Sequence, residues 1–234
     1  MSVGTEGSSS AKRSVSAEVV VAEARKAFWV MVAVLAILWI IQIFNALDNY
    51  GFDQSWGIVT RDVSSLPDIF TAPFLHVSWA HIEGNSGPLF IFGFLAAYRG
   101  VKKFVGVSIL IIVVSGLGAW LTSPSGFSTV GASGVIFGYL GYILVRGVFD
   151  RHGIDIVIGL VMALCFAYQF TDLLPQNTGI SWQAHAFGFG AGIVGGWLFR
   201  ERRAKKAVAG PATTGTTPPL FDPATTLLDK PKQP

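Results

Sequence analysis

The sequence predicts an all-α polytopic membrane protein with six transmembrane helices, of which the fourth is short and begins inside the membrane. Three observations support this fold class. Only 13% of the 234 residues are charged and 51% are hydrophobic, whereas a soluble domain carries roughly 25% charged residues. The charges are clustered, and they leave apolar stretches close to the ~20 residues that a helix needs to cross the hydrocarbon core. Basic residues occupy every second connection between these stretches.

The predicted helices divide the chain into a membrane core and two polar ends. We expect residues 1–27 to form a polar cytoplasmic segment and residues 201–234, rich in proline and threonine, to form a cytoplasmic tail, both disordered. The core, residues 28–200, contains the six spans at approximately 28–47, 80–98, 104–122, 133–145, 156–174 and 180–199. The connection between the first two spans is unusually long.

The distribution of charge predicts the orientation of these spans in the cell (plasma) membrane. The second and fourth connections and the end of the sixth span are basic, whereas the long first connection carries four aspartates and one arginine. Because basic loops remain on the cytoplasmic side, we expect both termini to be cytoplasmic. The basic residues that give the net charge of +3 then serve as a topology signal. We expect the lipid bilayer to surround the spans, and we expect no nucleic-acid partner.

The fourth span is an exception to the length rule. It has about 12 apolar residues before Arg146, or roughly 18 Å of helix, which is too short to cross a core of about 30 Å. The preceding residues 123–131 are small and polar, and such a loop is tolerated at membrane depth only inside protein or beside water. The sequence therefore predicts a half-length helix with a functional site at its first residue, Ser133.

Three polar residues are predicted to lie at one depth in the membrane. Along their spans, Ser133, Asn85 and His185 lie 13, 14 and 15 residues from the next basic residue, which corresponds to about 20 Å of helix in each case. His81 lies one turn from Asn85 on the same helical face. Polar groups at this depth usually face the interior of a bundle or an aqueous cavity, so these four side chains are candidate site residues.

These side chains have the chemistry of nucleophilic catalysis. An imidazole beside a serine can take the hydroxyl proton and later deliver it to a leaving amine. Asn85 and His81 could donate hydrogen bonds to the oxyanion of a tetrahedral intermediate. The backbone N–H of Ser133, at a helix N-terminus, is a third candidate donor.

Glycines at four-residue spacing predict which helices pack closely. Gly188 and Gly192 repeat in the sixth span, and Gly134 and Gly138 repeat in the fourth. Small residues at this spacing let two membrane helices approach closely. We therefore expect the helices that carry the candidate serine and histidine to be neighbours.

Together these residues resemble the rhomboid family of intramembrane serine proteases over residues 28–200. Three separated motifs carry the resemblance: His76-x4-His81-x3-Asn85, which matches the family's second-helix pattern, Gly131-Ala132-Ser133-Gly134 at the fourth span, and Ala184-His185-x2-Gly188-x3-Gly192 in the sixth. Each motif alone is weak, because a lone serine, histidine or glycine stripe in a span is usually structural. In this order and on these spans, however, the combination is specific.

The resemblance implies a catalytic dyad of Ser133 as nucleophile and His185 as general base and acid, without an acidic third member. It also implies an oxyanion site from Asn85, His81 and the Ser133 N–H. The supporting residues it implies are Gly131, Gly134, Phe137, Gly188, Gly192 and His76. Substrates would be single-span membrane proteins cut near the outer end of their helix. No cofactor or metal is expected.

The sequence departs from the family pattern at two places. Phe137 stands where well-known bacterial members have tyrosine, so a ring can still stack on His185 but the hydroxyl is lost. The first loop lacks the adjacent Trp-Arg pair of many members, although Trp56 and Arg61 are present separately. Asp172, near the outer end of the fifth span, is expected to have a structural or cap-region role.

Two other functions remain open at this stage. One is a small transporter or channel with a proton relay of His76, His81, Glu83 and His185, which predicts paired charges or an inverted repeat of broken helices. The sequence shows neither, since only the fourth predicted span is broken. The other is a non-catalytic protein that binds membrane helices. Absence of the serine or the histidine from the sequence would favour that function.

Overall fold

The computed structural model describes residues 6–175 and 179–201, with side chains from residue 17 onward. Its elements follow the chain in this order: α1 (Glu6–Leu47), α2 (Gly51–Trp56), β1 (Ile58–Val59), 3₁₀ helices Val63–Ile69 and Ala72–Phe74, α3 (Trp79–Ala97), α4 (Val101–Thr122), β2 (Ser128–Thr129), α5 (Ser133–Asp150), α6 (Gly153–Cys165), 3₁₀ helix Ala167–Leu173 and α7 (Trp182–Leu198). The described chain is thus mostly helical.

Three of the described helices are long and apolar enough to cross a membrane, namely Ala17–Leu47 within α1, Val101–Thr122 and Ser133–Asp150. A fourth is obtained if α6 and the 3₁₀ helix after it are counted as one bent span. Helix α7 has 17 residues, and α3 contains Pro88 and several polar side chains. The fold is therefore that of a helical membrane protein with three or four candidate spans, and the six-span count is not confirmed.

Helix α1 is longer than the predicted first span. It continues back to Glu6, through residues that the sequence analysis expects to be disordered, and alanine, glutamate and lysine in this segment are good helix formers. In the membrane core, α1 packs on α3, where the side chain of Met31 fills the space beside Gly93. The predicted tail, residues 201–234, lies outside the described residues from residue 202 onward.

Helix α5 is the centre of the bundle. All its residues from 134 to 143 are buried, and it packs against α3, α4, α6 and most extensively α7. Glycines make the α5–α7 approach possible, because a methyl group on Gly188 or Gly192 would overlap the carbonyl oxygen of Gly134 or Gly138 respectively. The prediction that these two glycine-rich helices are neighbours is confirmed.

The prediction of a half-length fourth helix is not confirmed. Helix α5 begins at Ser133, as expected, but it continues past Arg146 to Asp150, and its 18 residues correspond to roughly 27 Å. Arg146 does not end the helix because its side chain is 2% exposed and paired with Asp155 of α6 at 3.0 Å. It also donates a hydrogen bond to the Leu95 carbonyl of α3 at 2.8 Å.

The break occurs in the fifth predicted span instead. Helix α6 ends at Cys165, and the 3₁₀ helix Ala167–Leu173 continues at an angle of 74° to it. The expectation that only the fourth span is broken is therefore wrong. This bend brings the 3₁₀ helix to α7, where Phe170 makes an edge-to-face contact with Phe189 at 6.0 Å between ring centroids.

The long first connection is an ordered structure that reaches the loop before α5. Strand β1 pairs antiparallel with β2, with Ile58 opposite Thr129 and Val59 opposite Ser128. Further along, the Gly131 N–H donates to the Ala72 carbonyl at 2.9 Å. The first connection thus holds both ends of the segment that leads to Ser133.

Candidate active site

The hydroxyl of Ser133 lies at the first residue of α5 and faces α7. Its Oγ is 2.8 Å from Nε2 of His185, a hydrogen-bonding distance between two groups that are 52 residues apart in the chain. Ser133 is partly exposed, whereas His185 is 3% exposed. The structure therefore brings together the serine and histidine that the sequence places at one depth.

The His185 ring is held on its face and on both of its nitrogens. The Phe137 ring, one turn after Ser133 on α5, stacks on the imidazole with centroids 4.4 Å apart and planes inclined by 25°. On the edge away from Ser133, Nδ1 is 2.9 Å from the main-chain oxygen of Asp172. The stacking expected of Phe137 is present without a tyrosine hydroxyl.

Gly131 brings the loop before Ser133 against two polar side chains of α3. Its φ of +122° is unfavourable for any residue with a side chain. A Cβ on it would also lie 2.9 Å from His81 Nε2 and 3.8 Å from Asn85 Nδ2. Within the described residues, the Asn85 Nδ2 donor is buried and has no hydrogen-bond partner. An unsatisfied donor of this kind suits an oxyanion that forms only during reaction.

The backbone donors around Ser133 fall into two groups. The Gly131 N–H is bonded to Ala72, and the Ala132 N–H points to His76 Nε2 at 3.5 Å. In the described part of the chain, the Ser133 and Gly134 N–H groups have no acceptor, as expected for the first turn of a helix. These two remain available for a ligand.

His76 supports the loop before Ser133 from the side of the first connection. Its side chain is fully buried, and its main-chain oxygen accepts from Asn45 Nδ2 at 3.4 Å. The same amide nitrogen donates to Asp53 Oδ1 at 2.9 Å. Burial, with a smaller contribution from nearby His81, lowers the pKa of His76 to about 3. A neutral His76 can accept the Ala132 N–H, which a protonated one could not.

A cavity of about 270 Å³ opens beside the serine. Its lining includes Ser133, His81 and Gly131 together with apolar side chains such as Ile69 and Ile112. The cavity therefore offers a nucleophile, hydrogen-bond donors and an apolar wall in one place. Asn85 is buried next to it, beside Gly131.

The comparison with known families agrees with this arrangement. Residues 63–202 match the model of the rhomboid domain. The chain belongs to the rhomboid family. An uncharacterized protein of Mycobacterium tuberculosis is 36% identical over 77% of this chain and 79% of its own length. An uncharacterized protein of Mycobacterium leprae is 33% identical over 74% and 72%. A Bacillus subtilis protein with the name "Putative rhomboid protease YdcA" is 27% identical over 59% and 69%.

The rhomboid match spans every candidate site residue that the sequence predicts, from His76 to Gly192. It includes His76, His81 and Asn85, the loop before Ser133, and His185 with its glycines. It starts after α1, α2 and β1, so Asn45 and Asp53 belong to the part of this rhomboid protein that the family model does not cover.

Sequence reasoning missed two parts of this site. The Asn45–Asp53 pair was missed because neither residue stands in a motif, although a polar residue in the first span was a signal. The Asp172 contact was missed because it uses a main-chain oxygen, which any residue could supply. Glu83, which the proton-relay alternative requires, is exposed on α3.

Proposed function

We propose that this protein is an intramembrane serine endopeptidase that cleaves single-span membrane proteins near the outer end of their transmembrane helix. The single observation that carries the proposal is the 2.8 Å contact between Ser133 Oγ and His185 Nε2 at the wall of a cavity. Membership of the rhomboid family supports the same reaction.

In the proposed reaction, His185 Nε2 takes the hydroxyl proton as Ser133 Oγ attacks the scissile carbonyl carbon. The tetrahedral intermediate collapses as the imidazolium gives that proton to the leaving amine, which leaves an acyl ester on Ser133. Water then attacks the ester with His185 again as base; the C–Oγ bond breaks, the acyl group leaves as a carboxylic acid, and the imidazolium returns the proton to Ser133 Oγ. Side chains and water are sufficient for every proton transfer.

The oxyanion of the intermediate would be stabilised by the donors around Gly131 and the start of α5. Asn85 Nδ2 is buried without a partner, and the Ser133 N–H has no acceptor in the described chain. His81 lines the same cavity. Such donors are most effective in a site with little water, because the local dielectric constant is low.

We infer further that the protein lies in the cell membrane with both termini in the cytoplasm. This orientation rests on the basic residues near the α3–α4 and α5–α6 connections and after α7, and on the acidic first connection. It puts the α5 N-terminus, with Ser133, toward the outer side. A cysteine introduced near Gly179, in the connection before α7, should then react with an impermeant reagent added outside the cell.

A proton-relay transporter and a non-catalytic helix-binding protein are the alternatives. The relay needs Glu83 close to the histidines, but this side chain is exposed on α3, whereas His185 is bonded to Ser133. A non-catalytic protein has no need of a hydrogen-bonded serine and histidine. Neither alternative has an observation of its own in its favour.

The test is cleavage of a panel of single-span membrane proteins by the purified protein in liposomes. Wild type should cut at least one of them, and Ser133→Ala and His185→Ala should cut none at a measurable rate. Ser86→Ala on the neighbouring helix is a control that alters an intramembrane serine elsewhere. If no substrate is cut, or if Ser133→Ala is as active as wild type, the protease proposal is wrong.

A further inference from the structure

The nitrogen of His185 that faces away from the serine has a defined partner. Nδ1 is 2.9 Å from the main-chain oxygen of Asp172, and the ring is 3% exposed. A carbonyl oxygen can only accept a hydrogen bond. The contact therefore requires the proton of the neutral imidazole to be on Nδ1.

The position of the proton on Nδ1 determines the role of Nε2, the other ring nitrogen of His185. With the proton on Nδ1, Nε2 has a free lone pair and accepts the Ser133 hydroxyl at 2.8 Å. In the other tautomer Nε2 would carry the proton and could not act as the base. The unprotonated Nδ1 would then face the lone pairs of the Asp172 oxygen, which is unfavourable.

We propose that the main-chain carbonyl of Asp172 positions His185 and selects its reactive tautomer, as the carboxylate does in a Ser-His-Asp triad. This inference rests on the proposed function, because the tautomer matters only if His185 is the base. The carbonyl also stabilises the imidazolium that forms when the serine loses its proton. It remains a positioning group, since it acts only through His185.

The bend after α6 explains how this carbonyl reaches the ring. The chain turns by 74° at Phe166, and Asp172 is the penultimate residue of the 3₁₀ helix that follows. Carbonyl groups in the last turn of a helix lack partners within it, so one of them can serve a side chain. The contact of Phe170 with Phe189 holds this helix on α7, one turn beyond His185.

The tautomer can be measured directly by ¹⁵N NMR of the histidine side chains at mildly alkaline pH. The chain has four histidines, and a His185→Gln sample identifies the signals of this one. The measurement is made in Ser133→Ala protein, where the serine hydroxyl no longer favours either tautomer. We expect His185 to carry its proton on Nδ1. A dominant Nε2–H tautomer would overturn the proposal.

A backbone change tests the consequence for catalysis. Proline at position 173 disfavours the helical conformation of the residue before it, so Leu173→Pro should turn the Asp172 carbonyl away from His185. Leu173→Ala removes most of the same half-buried side chain and keeps the backbone, and it is the matched control. Loss of one hydrogen bond predicts a fall in kcat of roughly tenfold for Leu173→Pro relative to Leu173→Ala, with KM little changed.

The two measurements separate this proposal from the function on which it rests. An Nδ1–H tautomer in a protein that cleaves no substrate would contradict the protease function and leave the positioning contact intact. Full kcat in a folded Leu173→Pro protein would overturn the positioning role and leave the protease function intact. If Leu173→Pro does not fold, the NMR measurement on the unaltered backbone decides.

Discussion

Gly188 of α7 lies directly against the main-chain carbonyl of Gly134 in α5, with no room between them for a methyl group. Each of these glycines is close in sequence to one member of the Ser133–His185 pair. The hydrogen bond between those side chains therefore depends on a backbone-to-backbone approach of two helices. This approach is the structural basis of the candidate site.

The first prediction concerns this approach. Gly188→Ala should force α5 and α7 apart, lower stability by about 1–3 kcal/mol and reduce cleavage, because the serine and histidine move out of hydrogen-bonding distance. Gly190→Ala is the matched control, since a Cβ at that position meets nothing within 4 Å. Thermal unfolding in detergent and substrate cleavage measure the two effects. Equal behaviour of the two variants would contradict the packing account.

The second prediction concerns the oxyanion donors. Asn85→Ala should lower turnover by about 10²–10³ with little loss of stability, if its unpartnered Nδ2 is a principal donor. Glu83→Gln, on the exposed face of the same helix, should keep full turnover. That control also examines the proton-relay alternative, in which Glu83 is essential. Unchanged turnover in Asn85→Ala would remove this residue from the oxyanion site.

The third prediction follows from the buried neutral His76. Its pKa falls from an ordinary value near 6.5 to about 3 on folding, so the unfolded chain binds this proton more readily. The contribution of His76 to the free energy of unfolding is therefore fully present above pH 6.5, where the ring is neutral in both states. It is lost as the pH falls toward 3. Over this range the free energy of unfolding should fall by at most about 1.4 kcal/mol per pH unit.

Thermal unfolding of wild type and His76→Gln across this range checks the prediction. The wild-type midpoint should fall more steeply with acidification than that of the variant, which lacks the titrating ring. Nearby His81 and Asp53 are present in both proteins, so their titration cancels to first order in the comparison. Parallel pH profiles would show that His76 is not held neutral by the fold.

The fourth prediction concerns the charge cluster at the other end of the bundle. Asp155 is buried and pairs with Arg146 and Arg99, and His152 lies 3.2 Å from the same carboxylate. Asp155→Ala should destabilise the protein by about 3–5 kcal/mol, because two arginines lose their buried partner. Exposed Arg151→Ala should have almost no effect. Comparable unfolding midpoints for both variants would contradict a structural role for the cluster.

The sequence was most informative where side-chain identity and spacing determine the contact. The pairing of Ser133 with His185, the stacked Phe137 and the glycine contacts between α5 and α7 were all expected from residue type and helical period. These contacts lie within motifs whose residues project from regular helices. Residue type and helical period were therefore a sufficient guide to these contacts, although Arg146, from which the depth of Ser133 was counted, is buried.

Other features had no local signal. Arg146 suggested a helix end at the membrane surface, but its partner Asp155 lies nine residues later and allows it to be buried. The bend at Phe166 lies in residues 160–170, which contain neither glycine nor proline, so it depends on tertiary packing. The pairing of β1 with β2 joins two segments 70 residues apart, which single-sequence patterns do not encode.

The most direct test of Ser133 as a nucleophile activated by His185 does not require a known substrate. A fluorophosphonate reacts with an activated serine, whose oxygen attacks phosphorus while fluoride leaves. Mass spectrometry of labelled wild type should locate the adduct on Ser133, and His185→Ala should be labelled far more slowly. An unlabelled Ser133 in folded protein, or labelling of His185→Ala as fast as that of wild type, would show that these two residues do not form a catalytic dyad.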